Sequence, residues 1–240
     1  MRLDTDPRVE SNGALARSAV LGLLSQALAY PTAIVVQDLL EEDLPFALAL
    51  ARSLRQDVTD ALRALAAALE GARAETLEVA YRDRLSHVHS QDCPLYETDH
   101  ATREVWRQAE VLADLGGFYL AFGLEGSGER VDHVSVELEF LHVLAYKRAW
   151  ALERGEPEHA EVCRAAEEAF LRDHVLRWVP DVAERLSVLG EGTPYAAAAE
   201  LLGVFLRAES ECTGVPIIPV GEPVEPIQGP EEIALCEEPS

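Results

Sequence analysis

The amino-acid sequence predicts an all-α protein that forms a single compact domain of about nine to ten helices. Apolar residues recur at helical spacing along most of the chain, as Leu15, Ala19, Leu23 and Ala27 do near its start. No segment alternates with the period of two that a half-buried strand requires. Short connections between the helical segments favour a bundle, and the lack of a fixed repeat argues against a solenoid.

The composition fits one folded domain. A chain of 240 residues buries roughly 70–75% of its unfolded surface, which is enough for a core without covalent links. The four cysteines are scattered, with no Cys-x-x-Cys pair, so we expect free thiols in a reducing compartment. The sequence shows no secretory signal and no apolar run of about 20 residues. We therefore expect a cytoplasmic protein without a membrane span.

The charge balance limits the possible partners. The chain has 43 acidic and 20 basic residues, which gives a net charge of −23. A surface this negative repels nucleic acids and anionic lipids, so we expect no nucleic acid and no membrane as a partner. It favours a basic peptide or protein, although solubility is an alternative reason for the same composition.

The predicted helical segments follow from apolar spacing, prolines and capping residues. In chain order they run from a cap at Ser11 or Asn12 to Tyr30, over about 32–41, from Pro45 onward, from Asp57 to Gly71, over 74–86, over 105–123, from Asp132 to Gly155, from Pro157 to Trp178, from Pro180 to Leu189, and from Thr193 to about Arg207. A loop over 87–98 interrupts the pattern. Gly116 and Gly117, inside one of these segments, predict a close helix crossing or a kink.

Three regions follow from this pattern. A flexible N-terminus is predicted over 1–12, an all-helical domain over 13–211, and a proline-rich acidic tail over 212–240. The tail lacks periodicity and cannot bury enough apolar surface to order itself alone, so we expect it to be disordered or loosely docked. Its apolar stretch 215–220 could pack on the protein itself or on a partner.

A cluster of possible metal ligands lies on and beside the predicted loop. His87, His89, Cys93 and His100 fall within 14 residues. Structural zinc sites use tight paired spacings, and this set matches none of them. A polar loop accounts for the same residues, and no bound metal or cofactor is predicted.

The adjacent pair Asp132 and His133 suggests a second chemistry. Some all-α phosphohydrolases bind a metal through an adjacent His-Asp pair, but the order is reversed here. Further ligands could come from His142, Asp173 and His174. In the alternative interpretation, Asp132 caps a helix N-terminus, and His133 faces Glu137 one turn later.

Signatures of common enzyme classes are missing from the sequence. It contains no Gly-x-x-x-x-Gly-Lys phosphate loop, no Gly-x-Ser-x-Gly elbow and no Gly-x-Gly-x-x-Gly after a strand. Cys93 has no basic neighbour in sequence that would activate its thiol. The residues therefore predict a binding protein with no catalytic residues, not an enzyme.

Several short motifs in a fixed order resemble the TorD/DmsD/NarJ family of molybdoenzyme maturation chaperones. They are the Pro-x-Tyr-Glu loop at 94–97, the aromatic run 118–124, the Asp-His pair that opens 136–141, and the later Phe, His, Trp and Pro at 170, 174, 178 and 180. The resemblance extends from about residue 15 to 208. The string Cys-Pro-Leu-Tyr-Glu-Thr at 93–98 is most similar to the subgroup that serves dimethylsulfide-, ethylbenzene-, selenate- and chlorate-type enzymes.

This resemblance implies a function. Such proteins bind the twin-arginine signal peptide and the body of a molybdopterin oxidoreductase catalytic subunit in the cytoplasm, and assist cofactor insertion and assembly before export. A receptor for two arginines and an apolar stretch needs carboxylates beside an apolar groove. Carboxylates near the key loops are Glu97, Asp99, Asp132, Glu137 and Glu139, and the aromatic residues are Tyr96, Trp106, Tyr119, Phe122 and Phe140.

The resemblance also implies particular site residues. The peptide-binding residues expected from it are Tyr96, Glu97, Tyr119, Asp132, His133 and Glu137. The family usually has proline before Asp-His, whereas this chain has Val131, which should loosen the backbone there. Helix exchange in relatives implies a monomer or a helix-swapped dimer. A metal-dependent all-α hydrolase and a structural accessory subunit of a respiratory complex remain the alternative functions.

Overall fold

The computed structural model describes residues 7–85, 92–101, 105–125 and 128–218. Within these ranges the protein is helical and contains no strand, which confirms the all-α prediction. The helices are α1 (Pro7–Leu28), α2 (Ala33–Asp38), α3 (Leu44–Leu50), α4 (Gln56–Ala68), α5 (Ala74–Arg84), α6 (Glu97–Ala101), α7 (Val105–Ala121), α8 (Val134–Glu153), α9 (Pro157–Phe170), α10 (Leu176–Leu189) and α11 (Pro194–Thr213). None of them is long and apolar enough to cross a membrane.

Two π-turns lie between consecutive helices of the structure. The first lies between two segments that the sequence predicts as separate, whereas the second lies inside the segment predicted from Pro157 to Trp178. Leu39–Asp43 connects α2 to α3, and Leu171–Val175 connects α9 to α10. Counting each joined pair as one gives nine helices in the described ranges, in agreement with the predicted number. Pro180 lies inside α10, so the helix start predicted there is wrong. The buried residues on either side of Pro180 hold α10 together despite the missing N–H.

Both ends of the domain differ from the predicted boundaries. α1 begins at Pro7, so the predicted flexible segment 1–12 is too long; residues 1–6 lie outside the described residues. Ser11 is not a cap, because its hydroxyl donates to the Ala149 carbonyl of α8 at 3.0 Å. α11 continues to Thr213 and stops at Gly214, whose positive φ of 76° suits glycine.

The first residues of the predicted tail pack on the protein itself. Val215 is buried, and Ile217 is partly buried against the core. The prediction of a tail for 219–240 falls outside the described residues. The close helix crossing predicted at Gly116 and Gly117 is absent from the described part, since a Cβ at either position would have no atom within 4 Å.

The core lies around α1 and α8, which form the most extensive helix pair. α9 packs on α8, while α10 and α11 pack on each other. The largest fully buried side chains are Trp178, Phe140, Phe170 and Phe205. Aromatic rings from α7, α8 and α9 meet there, because the Phe140 and Phe170 centroids are 4.7 Å apart and those of Tyr119 and Phe140 are 4.9 Å apart.

A buried ion-pair cluster joins four helices at another point of this core. Arg17 of α1 bonds to Glu209 of α11 and lies 2.8 Å from Glu167 of α9, while Arg148 of α8 lies near Glu167. Burial lowers the pKa of Arg17, but the charges of Glu209 and Glu167 raise it overall. Breaking such a cluster by removing one charge leaves another buried and unpaired.

Replacement of Phe140 should test how much the aromatic core contributes to stability. Phe140→Ala should lower the free energy of unfolding by about 3–5 kcal/mol, because a fully buried ring leaves a cavity. Leu120→Ala on α7 is the control, since Leu120 is 71% exposed, and should change it by less than about 0.5 kcal/mol. Urea unfolding measures both, and equal effects would contradict the expectation.

Candidate functional site

The Tyr-Glu loop and the Asp-His pair, which are far apart in sequence, are neighbours in the structure. The Glu97 N–H donates to the Asp132 carbonyl at 2.9 Å, and the Val134 N–H donates to the Leu95 carbonyl at 2.9 Å. These bonds form an isolated antiparallel bridge between Tyr96 and His133. The structure therefore brings together the two elements that the resemblance singled out.

Asp132 is completely buried, and its carboxylate forms hydrogen bonds within the protein. It accepts hydrogen bonds from the Thr98 hydroxyl at 2.7 Å and from Arg130 through Nη2 at 2.9 Å and Nε at 3.1 Å. The expectation that Asp132 caps α8 is wrong. His133 is the N-cap, since its Nδ1 accepts from the Ser135 N–H at 3.2 Å. Asp132 instead fixes the start of α6, which contains Thr98.

His133 is buried and neutral. Burial lowers its pKa to about 4, against the opposing charges of Glu129 and Asp132. A neutral ring agrees with Nδ1 as an acceptor, because an imidazolium can only donate. The ring meets Tyr96 edge to face, with centroids 5.0 Å apart. The expected pairing of His133 with Glu137 does not occur, since Glu137 bonds to Trp178 instead.

Glu97 points into the protein, where it meets His174 of the π-turn. The His174 Nδ1 donates to the Glu97 carboxylate at 2.9 Å, and Nε2 donates to Asp114 of α7 at 3.1 Å. Burial lowers the pKa of His174, but the hydrogen bond and charge of Glu97 and the charge of Asp114 outweigh it, so the pKa is raised. His174 is thus an imidazolium that connects the loop to α7 and α10.

In the sequence, His174 stands out only as part of a helix motif and as a possible metal ligand. Its contact with Glu97 spans 77 residues, and no local pattern predicts such a contact. The sequence feature that could indicate the role of His174 is its four-residue spacing from Trp178. It places both side chains on one face of the helical segment, and each of them bonds to a buried glutamate.

Glu137 is completely buried on α8. Its Oε2 accepts from the Trp178 indole N–H at 3.0 Å, while no donor among the described residues reaches Oε1. Burial, together with the charge of Glu97 and a hydrogen bond with it, raises the pKa of Glu137 well above its ordinary value. The raised pKa favours the protonated form of Glu137.

Tyr119 is also buried, and its hydroxyl donates to the Val131 carbonyl at 2.8 Å. Burial raises its pKa, so it stays a donor. This bond fixes the backbone directly before Asp132, where the lack of the family proline is expected to loosen it. Tyr96 is half-buried, and its hydroxyl donates to Glu129 at 3.2 Å. The Arg130 guanidinium lies 4.4 Å from the centre of the Tyr96 ring.

A solvent-facing cleft of about 110 Å³ lies next to these residues, between the end of α7 and the first half of α8. We call it the acidic cleft. It is lined by Tyr119, Leu124, Glu125, Glu129, Val136, Glu139, Phe140 and Val143. The three glutamates are exposed and surround apolar walls. Within the acidic cleft a ligand can therefore reach these three carboxylates, whereas Glu97, Asp132 and Glu137 are buried. Asp99 is also exposed, but it lines a separate opening with His100 and Asp181.

The sequence interpretation includes Glu139 but misses Glu125 and Glu129. The sequence does contain an indication that these two residues belong to the site. They flank the glycine-containing turn that leads from the aromatic run to the Asp-His pair. The side chain of Trp106, expected near the groove, lies outside the described residues.

The possible metal ligands do not converge in the described part of the chain. No group of three or more His, Cys, Asp and Glu there could hold a metal ion, and His87 and His89 lie outside it. Cys93 is buried and faces the Val182 carbonyl, and burial raises its pKa to about 12. His100 contacts the Pro94 carbonyl and Asp181.

The raised pKa of His174 predicts a pH-dependent contribution to stability. The folded protein holds this proton more tightly than the unfolded chain, so the contribution is complete below about pH 6.5 and is lost as pH rises through the folded-state pKa. Urea unfolding of the wild type and His174→Gln between about pH 5.5 and 9 should show a difference that narrows with rising pH. A difference that stays constant would contradict this expectation.

Replacement of Glu137 should test whether the residue is protonated. Glu137→Gln keeps an acceptor for Trp178 and a donor for Glu97, so its unfolding free energy should stay within about 1 kcal/mol of the wild type at pH 7. Glu137→Ala leaves the indole N–H without its acceptor and should cost about 2–4 kcal/mol. A Gln variant as unstable as the Ala variant in urea unfolding would show that the residue is ionised.

Comparison with known proteins places the chain in a family. The profile of the family described as nitrate reductase delta subunit matches residues 51–184, a range that includes the bridge, the acidic cleft and His174. One relative, a chaperone protein TorD of Vibrio cholerae serotype O1 (El Tor Inaba), is 28% identical over 109 residues, 44% of this chain and 47% of the relative. Another, from the Classical Ogawa strain, is 30% identical over 87 residues, 35% and 37% of the two chains.

The chain thus spans less than half the length of the curated relatives that it matches. The family profile covers more of it, since residues 51–184 are more than half of the 240. The motif order from the Tyr-Glu loop to the His-Trp helix lies inside that range, so the resemblance noted in the sequence is confirmed at the level of the family. The chain belongs to the nitrate reductase delta subunit family, the NarJ/TorD group of redox enzyme maturation chaperones.

Proposed function

We propose that this protein is a cytoplasmic chaperone for the catalytic subunit of a molybdopterin oxidoreductase, which binds the subunit's twin-arginine signal peptide and its body while the cofactor is inserted. Family membership supports the general role. The observation that carries the peptide-binding part is the acidic cleft, where three exposed carboxylates surround apolar walls.

The chemistry of the cleft fits a basic peptide. A guanidinium offers five N–H donors in a planar fork, and a carboxylate accepts two of them at once. Glu125, Glu129 and Glu139 offer three such acceptors around one opening. The apolar surface of Val136 and Val143 lies beside them. A nucleic acid or an anionic lipid would instead meet repulsion from the same three charges.

The predicted site residues then act mainly by holding this cleft in place. Glu97, Asp132, His133 and Glu137 are buried, and their bonds join the loop to α8 and α10. Tyr119 lines the cleft with its ring, and Tyr96 positions Glu129 through its hydroxyl. We therefore assign the peptide's arginines to the exposed glutamates and give the buried residues a supporting role.

Other parts of the proposal rest on the family resemblance. They are the assistance of cofactor insertion, the cytoplasmic location, and the state as a monomer or helix-swapped dimer. The assignment to the subgroup that serves dimethylsulfide-, ethylbenzene-, selenate- and chlorate-type enzymes also remains a prediction. The metal-dependent hydrolase finds less support, because its proposed ligands have separate partners: Asp132 bonds to Arg130, and His142 contacts Ser18. An accessory-subunit role has no observation in its favour that the chaperone role lacks.

Neutralising two cleft glutamates should weaken peptide binding. Titration calorimetry would use a synthetic leader peptide with two adjacent arginines followed by an apolar segment. Glu129→Gln combined with Glu139→Gln should reduce affinity about tenfold, since it removes two charge-assisted contacts. Glu70→Gln is the matched control, because Glu70 is an exposed glutamate outside the cleft, and should bind like the wild type. Leader peptides of molybdoenzymes that fail to bind, or bind both variants equally, would refute the proposal.

A further inference from the structure

The solvent-facing side of α8 has an unusual composition. Four of its positions are exposed: Glu139, Tyr146, Trp150 and Glu153. The exposed side of a surface helix normally carries charged and polar residues. Here its middle is formed by two large aromatic side chains, which are 51% and 52% exposed.

These aromatic residues continue the acidic cleft along the helix. At 100° per residue, Val143, Tyr146 and Trp150 fall on one stripe, with Val136 and Glu139 on the same side one to two turns earlier. Val143 is also part of the cleft wall. From Val143 to Trp150 the stripe extends about 10 Å, or two helical turns. We call Val143, Tyr146 and Trp150 the aromatic stripe.

The neighbouring charges make the surface asymmetric. The three cleft glutamates lie at the end where α8 begins. The far end has charges of both signs, namely exposed Glu153 and Arg154, whose guanidinium lies 4.7 Å from the centre of the Trp150 ring and 2.9 Å from Glu156. Lys147 is held away from the stripe, since its ammonium donates to the Phe122 carbonyl at 2.8 Å. The negative end thus suits a basic segment, and the middle suits an uncharged apolar one.

We propose that the aromatic stripe binds the apolar segment of the same leader peptide, with the arginines in the acidic cleft and the following apolar residues running along α8 toward Trp150. This inference rests on the proposed function. It adds the direction in which the peptide lies along α8 and the surface to which its apolar segment binds. Aromatic rings suit this role because they bury a large area and lose little side-chain freedom on binding.

Two peptides and one double variant test this inference independently of the proposed function. The first peptide has two adjacent arginines followed by an apolar segment of about 12 residues, and the second ends after the arginines. Tyr146→Ser combined with Trp150→Ser should weaken the first peptide about tenfold in calorimetry, since two aromatic contacts are lost. It should leave binding of the second peptide unchanged. Val188→Ser, at an apolar side chain of α10 that is 71% exposed, is the control and should match the wild type.

The fluorescence of Trp150 gives an independent measurement that keeps the protein intact. Binding of the longer peptide should shift the wild-type emission to the blue, and Trp150→Phe should remove most of this shift while retaining affinity. The inference fails if the double variant binds the longer peptide as the wild type does, or if it loses affinity for both peptides equally. It also fails if Tyr146 and Trp150 instead mediate self-association in sedimentation. If the wild type binds neither peptide, the proposed function fails as well.

Discussion

Two glutamates, Glu97 and Glu137, are buried in the same part of the core, and the site depends on how their charge is satisfied. Two buried carboxylates cannot both be ionised without strong repulsion. Glu137 therefore keeps its proton and accepts the Trp178 indole N–H, while Glu97 faces the His174 imidazolium. The loop, α8 and α10 can pack in this way only when both ion-pair partners and both hydrogen-bond partners are in place: Glu97 with His174, and Glu137 with Trp178. The geometry of the site therefore depends on these buried polar groups.

The site consists of a buried part, whose polar groups bond within the protein, and an exposed part that a ligand can reach. Asp132 and His133 bond to their own neighbours and have no direct access to solvent. The glutamates of the cleft and the two aromatic side chains of α8 remain accessible. Such a division suits a binding protein, because rigid support positions the accessible groups without an ordering cost at the moment of binding.

The sequence predicts the fold well and the site only partly. Helical spacing is a local property, so the all-α fold and the starts at Pro157 and Pro194 were predictable. The family resemblance assigns Tyr96 and His133 to one site, and the structure brings them together. Which carboxylates are buried depends on the rotation of α8 about its axis, and tertiary packing sets this rotation. The burial of Glu137 is therefore not predictable from the sequence, whereas the position of Glu129 beside the glycine-containing turn is visible in it.

The long-range contact between Glu97 and His174 has a consequence for synthesis on the ribosome. The two residues are 77 positions apart, which corresponds to about 4–15 s of translation at typical rates. During this time the Tyr-Glu loop lacks the imidazolium that neutralises Glu97, and α8 lacks the indole that bonds to Glu137. The nascent chain therefore cannot complete the buried support of the acidic cleft until α10 has emerged, although most of its helices are already complete.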